Sequence, residues 1–165
     1  MQRTIRLCGV VVCALGSLGV PASAVSQERS RLVDTGVILS AQESDRVERE
    51  MRWLGITPPY WTPTPEDIAR LEIRLKLYLK HAAAREAKAI LAEGQSYKRQ
   101  YLGFTDGGRT LIYVNSICDA VWKDGSDWRD GLAIFFDGGP CFFQVFYQPS
   151  SNRFERLRVN GPWRF

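Results

Sequence analysis

The sequence predicts an α+β fold in which a long N-terminal helix packs on an antiparallel meander of about five strands. Two observations lead to this prediction. Between residues 64 and 94 the apolar side chains recur every three or four positions, which is the period of an amphipathic helix. After Gly94 the period changes to two, and the segments become rich in aromatic and β-branched residues, which is typical of strands.

The long helix has clear start and stop signals. Thr64 is a favourable N-cap, Pro65 occupies the first turn without losing a hydrogen bond, and Gly94 provides a C-terminal stop. A helix of about 29 residues would extend ~44 Å, so a bend is expected near residues 82–84. Ile73 and Leu77 lie off the apolar stripe and are expected to contact a shorter helix upstream.

Five segments form the predicted meander, and the motifs TDGG, DGGP and PSSN suit tight connections between antiparallel strands. A longer loop joins the second segment to the third. The predicted strands cover residues 96–104, 109–118, 131–137, 141–148 and 153–161. This order resembles a cystatin-like fold, in which a sheet wraps around one helix. The resemblance concerns topology alone, since the sequence contains no cystatin inhibitory motif.

The first 24 residues have the three-part pattern of a secretory signal peptide. Arg3 and Arg6 precede an uncharged apolar run, and the motif PASA places small residues before a predicted cleavage after Ala24. The protein is therefore predicted to be exported, either periplasmic or secreted, without a transmembrane span after cleavage. One alternative is an uncleaved anchor. The other is a lipoprotein, although Cys8 and Cys13 follow large aliphatic residues rather than small ones.

The mature chain is predicted to divide at residue 64. Residues 25–63 form a lead-in that starts with a mobile segment and continues with a short helix capped by Ser44 and ended by Gly55. A proline-rich connector, ITPPYWTPTP, follows the short helix and is expected to be extended. Residues 64–165 are predicted to form a single α+β domain.

The charge balance argues against some classes of partner. The chain has 22 basic and 18 acidic side chains, and its formal charge of +4 falls to +2 without the two arginines of the leader. This excess is too small to indicate nucleic acid or an anionic membrane as a partner. No recognised catalytic, phosphate-binding or metal-binding motif occurs in the sequence, so no metal or cofactor is predicted. The single histidine, His81, is expected to be structural.

Two cysteines, Cys118 and Cys141, follow the leader. A single pair in an exported protein is expected to form a disulfide. The bridge would close a loop of about 24 residues and stabilise the fold by roughly 3 kcal/mol. The alternative, a redox or metal-binding pair, lacks C-x-x-C spacing and clustered histidines.

The aromatic residues of the segment CFFQVFYQ are predicted to be mostly core. Strand alternation separates two sets: Cys141, Phe143, Val145 and Tyr147 toward the long helix, and Phe142, Gln144, Phe146 and Gln148 on the opposite face. The short helix and the connector are expected to cover part of that opposite face. The alternative is a partner-binding surface that contains Phe142 and Phe146.

The loop WKDGSDWRDG offers two tryptophans, Trp122 and Trp128, that could stack on a sugar ring or on a partner. Its aspartates could gather around calcium, although their spacing does not match a calcium-binding loop; they are Asp124, Asp127 and Asp130. The simpler interpretation is a solvated connector that the tryptophans hold against the sheet.

The last predicted strand carries Arg156 and Arg158 on one face. This pair could present a basic ridge to an acidic partner. The alternative is an edge strand that its charges protect from aggregation.

Together these features predict a small exported envelope protein that acts as a non-catalytic binding module, of the inhibitor or immunity type, on another exported protein. Two alternatives remain. The first is a hydrolase of envelope carbohydrate that uses carboxylates such as Asp119, Asp124 or Asp137. The second is a structural envelope component that self-associates through an uncovered face of the sheet.

Overall fold

A computed structural model of the protein describes residues 32–33, 36–46, 48–94, 96–121, 128–129 and 131–161. Within these ranges the fold is α+β, as predicted, with four α-helices and one sheet. The predicted signal peptide, residues 1–24, lies outside the described residues, so the leader and its cleavage remain predictions.

Helices and short strands alternate up to Glu93, whereas the described chain beyond it contains strands and two 3₁₀ turns. The strands are β1 Leu32–Val33, β2 Gly36–Leu39, β3 Tyr60–Trp61, β4 Tyr97–Asp106, β5 Arg109–Cys118, β6 Phe142–Gln148 and β7 Arg153–Val159. The helices are α1 Ala41–Arg46, α2 Glu48–Trp53, α3 Pro65–His81 and α4 Arg85–Glu93. Single 3₁₀ turns occupy Asp119–Val121 and Gly139–Cys141.

The sheet has the order β1-β2-β4-β5-β6-β7, and β3 pairs with the same strand, β4, as β2 does. Strands β4 to β7 form the predicted antiparallel meander. Strand β2 instead runs parallel to β4. The prediction of a mobile segment at residues 25–42 is therefore wrong for β2, whose side chains Val37, Ile38 and Leu39 are all buried.

Residues 131–137, predicted as the third strand, form no strand. They belong to the connection between β5 and β6 and lie over one face of the sheet. Their backbone groups bond to amide side chains of the sheet instead of a neighbouring strand, as detailed below. The resemblance to a cystatin-like order is not confirmed, since the sheet gains a parallel strand and has covers on both faces.

The predicted disulfide is confirmed. Cys118 ends β5 and Cys141 precedes β6, and their Cα atoms are 5.0 Å apart. The two cysteines extend the antiparallel register by one position beyond the pair formed by Ile117 and Phe142. The bridge therefore closes the connection between β5 and β6 at its base.

The prediction of one long helix over residues 64–94 is wrong: two separate helices, α3 and α4, form there, and the chain is broken where a bend was expected. Helix α3 begins with a capping box, in which Thr64 and Asp67 exchange backbone-to-side-chain hydrogen bonds. Residues Ala82 and Ala84 are extended and separate α3 from α4. Gly94 has a φ of 59° and ends α4, as predicted.

The predicted cap of the short upstream helix is wrong. The helical region begins at Ala41, and Ser40 caps it: the Glu43 amide donates to Ser40 Oγ at 3.3 Å, and Glu43 Oε2 accepts from the Ser40 amide at 2.8 Å. Ser44 is buried inside the first turn and donates its hydroxyl to the Ser40 carbonyl. The cap lies at Ser40 because β2 ends at Leu39, and the chain changes directly from strand to helix.

Each face of the sheet has its own core. The helix face packs on α3 and α4, and its buried members are Ile38, Ile68, Leu71, Leu75, Leu79, Ala87, Ile90, Tyr101, Ile112, Val114, Phe143, Val145 and Tyr147. The loop face packs on α2, the connector and the β5–β6 connection, and its buried members are Val37, Leu39, Met51, Ile56, Leu102, Phe104, Leu111, Tyr113 and Phe146. The predicted division of the β6 side chains between two faces is confirmed.

Two side chains of α3 depart from the prediction. Ile73 and Leu77 were expected to contact the upstream helix, but they are 67% and 53% exposed. The upstream helix α2 packs at the loop face through Met51, on the other side of the sheet from α3. The aliphatic pair is therefore left at the surface.

A buried ion pair connects α3 to the sheet. Glu72 Oε2 accepts from Arg99 Nη1 at 2.9 Å, and Glu72 Oε1 accepts from the Tyr101 hydroxyl at 3.0 Å. Both charged side chains are about nine-tenths buried. Removal of either partner leaves a charge in a poorly solvated site, which is far more costly than the loss of an exposed ion pair.

We expect the substitution Glu72→Ala to lower the free energy of unfolding by about 3 kcal/mol, because Arg99 loses its counter-ion and Tyr101 loses its acceptor. Urea unfolding followed by circular dichroism measures the change. Glu48→Ala is the matched control, since Glu48 forms an exposed pair with Arg52 on α2 and its loss should cost only about 0.5 kcal/mol. Similar losses for the two variants would contradict the structural role of Glu72.

Candidate functional site

A row of polar side chains crosses the loop face at one level. Gln100 on β4 pairs with Asn115 on β5, Asn115 pairs with Gln144 on β6, and Gln144 pairs with Arg158 on β7. Directly paired residues of antiparallel strands place their side chains on the same face. The four strands therefore bring three amides and one guanidinium together inside an otherwise apolar surface.

Gln100 and Asn115 hold the β5–β6 connection against this face. The Gln100 side chain donates to the carbonyls of Trp128, at 2.5 Å, and Gly131, at 2.6 Å. Its Oε1 accepts from the Ala133 amide at 2.9 Å, and the Asn115 amide donates to the Ala133 carbonyl at 2.7 Å. An irregular segment over a sheet needs such partners, because a buried backbone group without a hydrogen bond destabilises the fold.

Asn160 fastens the end of the same connection. Its side-chain amide donates to the carbonyl of Phe135 at 2.6 Å, and its Oδ1 accepts from Gln144 Nε2 at 3.2 Å. The Phe135 ring stacks on Phe142, with the ring centroids 4.2 Å apart. Hydrogen bonds and ring stacking thus fix residues 131–137 without a strand ladder.

A cleft of about 270 Å³ lies between this connection, the end of α2 and the sheet. Its described lining is Trp53, Leu54, Tyr113, Asn115, Ala133, Ile134, Phe135, Phe136, Gln144, Arg158, Val159 and Asn160. The floor is polar and comes from the sheet, whereas the rim is aromatic. Trp53 and Phe136 are each 69% exposed and meet edge to face, with their centroids 5.0 Å apart.

A β-bulge in β7 decides which side chains reach the cleft. Arg156 has a φ of 55°, and the register shifts by one residue opposite the stretch between Gln144 and Phe146. Leu157 can then pack on the helix face while Arg156 and Arg158 both lie on the loop face. The prediction that the two arginines share a face is confirmed by their positions. Because of the bulge, Leu157 still faces the helix-side core.

The two arginines have different surroundings. Arg156 is engaged: its guanidinium lies 5.2 Å from the centroid of Phe146 and forms an ion pair with Asp106 at 3.3 Å. Arg158 lines the cleft, and no ion pair to it is found among the described residues. Arg158 is also the only charged side chain in the described lining of the cleft.

Tyr113 adds a neutral hydroxyl to the cleft lining. Burial raises the pKa of Tyr113 well above its ordinary value of 10, and the positive charge of Arg158 opposes this shift only in part. Among the described residues, none forms a hydrogen bond with this hydroxyl, and Tyr113 lines the cleft. A neutral phenol can donate a hydrogen bond to an acceptor such as a carboxylate or a carbonyl.

The other predicted site residues lie elsewhere. Phe142 and Phe146 are buried, with 2% and 6% exposure, so they belong to the core and are not an exposed patch. Trp128 is half-buried and packs on the loop-face core, as its anchoring role predicts. Asp119 and Asp137 are exposed and do not line the cleft.

The calcium hypothesis and Trp122 fall outside the described residues, as do Asp124, Asp127 and Asp130. Among the residues that are described, no three His, Cys, Asp or Glu side chains cluster in a way that could hold a metal ion. His81 is exposed in the last turn of α3. The described helices include none with the length and apolar composition that crossing a bilayer requires.

Sequence reasoning did not identify the cleft. Its aromatic rim joins Trp53 with Phe136, two residues that lie far apart in the sequence. The available signal was weaker: one polar residue interrupts each of three apolar strands, at Gln100, Asn115 and Gln144. Correct pairing of the strands would have aligned these interruptions in one row.

The chain matches no family model, no curated protein and no solved structure. The geometry of the cleft and of the surface therefore carries the functional argument.

We expect Gln100→Leu to release the β5–β6 connection, because the Trp128 and Gly131 carbonyls and the Ala133 amide lose their partners. The free energy of unfolding should fall by about 3 kcal/mol, and hydrogen exchange at Ala133 should accelerate at least about ten-fold. Hydrogen exchange with mass spectrometry or NMR measures both effects.

The control for this experiment is Gln148→Leu. Gln148 lies at the end of β6, where its side chain donates to Ser150 Oγ at 3.2 Å. Its substitution should leave exchange at Ala133 unchanged. Unaltered protection of Ala133 in Gln100→Leu would contradict the fastening role of Gln100.

We expect the Tyr113→Phe variant to lose less stability than wild type as the pH becomes alkaline. The folded-state pKa of Tyr113 is raised, so the stability gained from keeping the phenol neutral is full below pH of about 10 and disappears as the pH rises through the folded pKa. At neutral pH the variant should differ from wild type by less than about 1 kcal/mol, because the hydroxyl has no described partner. Thermal unfolding at a series of pH values measures the difference.

Tyr101→Phe provides the contrast, since the Tyr101 hydroxyl donates to buried Glu72. Its loss should destabilise the protein at neutral pH as well. If the stability of Tyr113→Phe falls as steeply at alkaline pH as that of wild type, the pKa of the Tyr113 hydroxyl is not raised in the folded protein.

Proposed function

We propose that this protein is an exported, non-catalytic binding module, of the inhibitor or immunity type, that holds a carboxylate-bearing segment of another exported protein in the cleft on its loop face. The observation that carries the proposal is Arg158, a cation without a described counter-ion in the lining of a concave site. An arginine in such a position attracts a carboxylate and can bind it with two parallel hydrogen bonds.

The remaining lining suits a short peptide. Asn115, Gln144 and Asn160 provide amide donors and acceptors of the kind that pair with a peptide backbone. Trp53 and Phe136 form an exposed aromatic rim on which an apolar side chain next to the carboxylate can pack. Tryptophan and other aromatic residues are enriched among the side chains that contribute most to binding at protein interfaces.

Export is the second part of the proposal. It rests on the leader pattern of residues 1–24 and is supported by the disulfide between Cys118 and Cys141, a bond that persists in oxidising compartments. A partner in the same compartment is the simplest consequence. The inhibitor or immunity type of action fits a small module with a preformed cleft.

The two alternatives receive less support. A hydrolase needs opposed carboxylates at a pocket, and the described lining of the cleft contains neither an aspartate nor a glutamate. Self-association through an uncovered sheet face loses its premise, because both faces of the sheet are covered.

We expect a random peptide library displayed on phage to yield binders that place Asp or Glu beside an aromatic or large aliphatic residue. For a synthetic copy of the strongest binder, Arg158→Gln should raise the dissociation constant about ten-fold or more, since charge-assisted hydrogen bonds contribute about 1.5–3 kcal/mol. Trp53→Ala should weaken binding through loss of the rim. Isothermal titration calorimetry measures each constant.

Arg153→Gln is the matched control: Arg153 lies on the same strand and is equally classed as exposed, but it does not line the cleft. The control should bind like wild type. Peptides without an acidic residue, or equal effects of the two arginine substitutions, would contradict the proposed function.

A further inference from the structure

The outward side of α3 carries a separate surface, distinct from the cleft. Four of its exposed residues are basic: Arg70, Arg74, Lys76 and Lys80. Its exposed aliphatic residues are Ile73 and Leu77. Between residues 69 and 81 the only acidic residue is Glu72, which faces the sheet and is neutralised by Arg99. The outward side of α3 over this stretch is therefore cationic and apolar.

These residues form three parallel columns. An α-helix turns by about 100° per residue, so residues four apart lie one above the other. Ile73 and Leu77 make the central column, the arginine pair at 70 and 74 makes one flank, and the lysine pair at 76 and 80 makes the other. An aliphatic column between two cationic columns is the pattern of a helix that lies in a membrane interface, because long basic side chains can reach headgroups on both sides.

A shallow groove of about 410 Å³ adjoins the arginine flank. Arg74 and Arg153 both line it, and its back is formed by Tyr78 and Phe154, which stack with their centroids 4.9 Å apart. No carboxylate belongs to the described lining of this groove. Two guanidinium groups beside an aromatic wall suit a phosphate with an apolar or glycerol portion attached.

The electrostatics around the groove agree with this description. Burial raises the pKa of Tyr147, the positive charges of Arg74 and Arg70 act against that rise, and the negative charge of Asp67 adds to it. At the other end, Glu86 on α4 raises the pKa of Tyr78 together with burial. Basic residues therefore dominate the middle of α3, and acids lie at both of its ends, with Glu66 and Asp67 in the first turn and Glu86 on α4.

We propose that the outward side of α3, together with the adjoining groove, is a docking surface for an anionic phospholipid bilayer. Ile73 and Leu77 enter the headgroup boundary, the four basic side chains contact lipid phosphates, and the groove between α3 and the β6–β7 turn accepts one headgroup phosphate. The surface area of two aliphatic side chains gives weak and reversible association rather than insertion.

A bilayer fits this surface better than an acidic protein segment does. The apolar part is a single narrow column beside a shallow, open groove, whereas protein interfaces concentrate their binding energy in packed aromatic or arginine anchors. The column lies along a helix of 17 residues that is exposed along one side, which suits a flat partner. The net charge of the chain concealed this surface, because a total of 22 basic and 18 acidic side chains does not show where the basic ones are concentrated.

The inference is independent of the peptide cleft. Helix α3 packs on one face of the sheet and the cleft opens on the other. Docking through α3 would leave Arg158 and the aromatic rim directed away from the lipid.

Co-sedimentation with vesicles tests the proposal. The protein should bind phosphatidylcholine vesicles that contain phosphatidylglycerol and not vesicles of phosphatidylcholine alone, and added salt should reduce the binding. The double variant Arg74→Gln, Arg153→Gln should weaken binding about 25-fold, at about five-fold for each cation. The double variant Ile73→Ser, Leu77→Ser should also weaken it.

Two control variants keep the result specific. Leu91 is an exposed aliphatic residue of α4, at 50% exposure, and Leu91→Ser should bind like wild type. Arg158→Gln removes a cation from the opposite face and should also leave lipid binding unchanged. Because every substituted residue is half-buried at most, circular dichroism and thermal unfolding should show that all variants fold.

Three outcomes would overturn the proposal. Equal binding to both kinds of vesicle would remove the role of the headgroup charge. Competition by free glycerol phosphate as effective as that of lipid phosphate would indicate a site for a soluble phosphate. Binding of polyglutamate that is as tight as vesicle binding, with the same response to the variants, would indicate an acidic protein segment instead.

Discussion

The hydrogen bonds from Gln100 and Asn115 to the β5–β6 connection determine how the second face of the sheet is covered. Helices α3 and α4 shield one face through ordinary apolar packing. Among the described residues, short helices, a connector and an irregular segment cover the other face, and the backbone of that segment needs polar partners in a buried position. Two amides supply them, and the disulfide between Cys118 and Cys141 closes the same segment at its base. The cleft lies beside the place where Gln100 and Asn115 hold the β5–β6 connection, because the connection leaves the neighbouring part of the sheet accessible.

The sheet separates two surfaces of different chemistry. On the loop face, Arg158 is a single cation among amides and aromatic rings, which suits a small anionic group on a peptide. On the helix side, several cations surround a narrow aliphatic column along α3, which suits an extended anionic plane. The two proposals therefore place lipid and a protein partner on opposite faces of the sheet. The two proposals depend on different residues, so the failure of one leaves the other standing.

Local irregularities place the functional side chains. The bulge at Arg156 shifts the phase of β7, so that Leu157 packs toward the helices and Arg158 reaches the cleft. The break after His81 lets α4 change direction and pack Ala87 and Ile90 on the same core as α3. Glu72 then ties α3 to β4 through Arg99. The bulge and the helix break each interrupt the regular period of a strand or helix. Each is stabilised by burial or by hydrogen bonds from the regular elements around it.

The sequence by itself determined the features that arise from local chemistry. These are the α+β class, the cap at Thr64, the stop at Gly94, the bend near residues 82–84, the four strands of the meander and the cysteine pair. Capping, helical period, strand alternation and turn motifs depend on neighbours within a few residues, so one segment suffices to predict them. The tertiary structure alone decided the parallel pairing of β2 with β4, the irregular course of residues 131–137 and the cleft between Trp53, Phe136 and Arg158. Those features depend on partners that are distant in the chain. The sequence of β2 is compatible with an irregular segment as well as with a strand, and its pairing with β4 decides between them. Residues 131–137 have the composition of a strand, but their backbone groups bond to the side chains of Gln100 and Asn115 instead of a neighbouring strand.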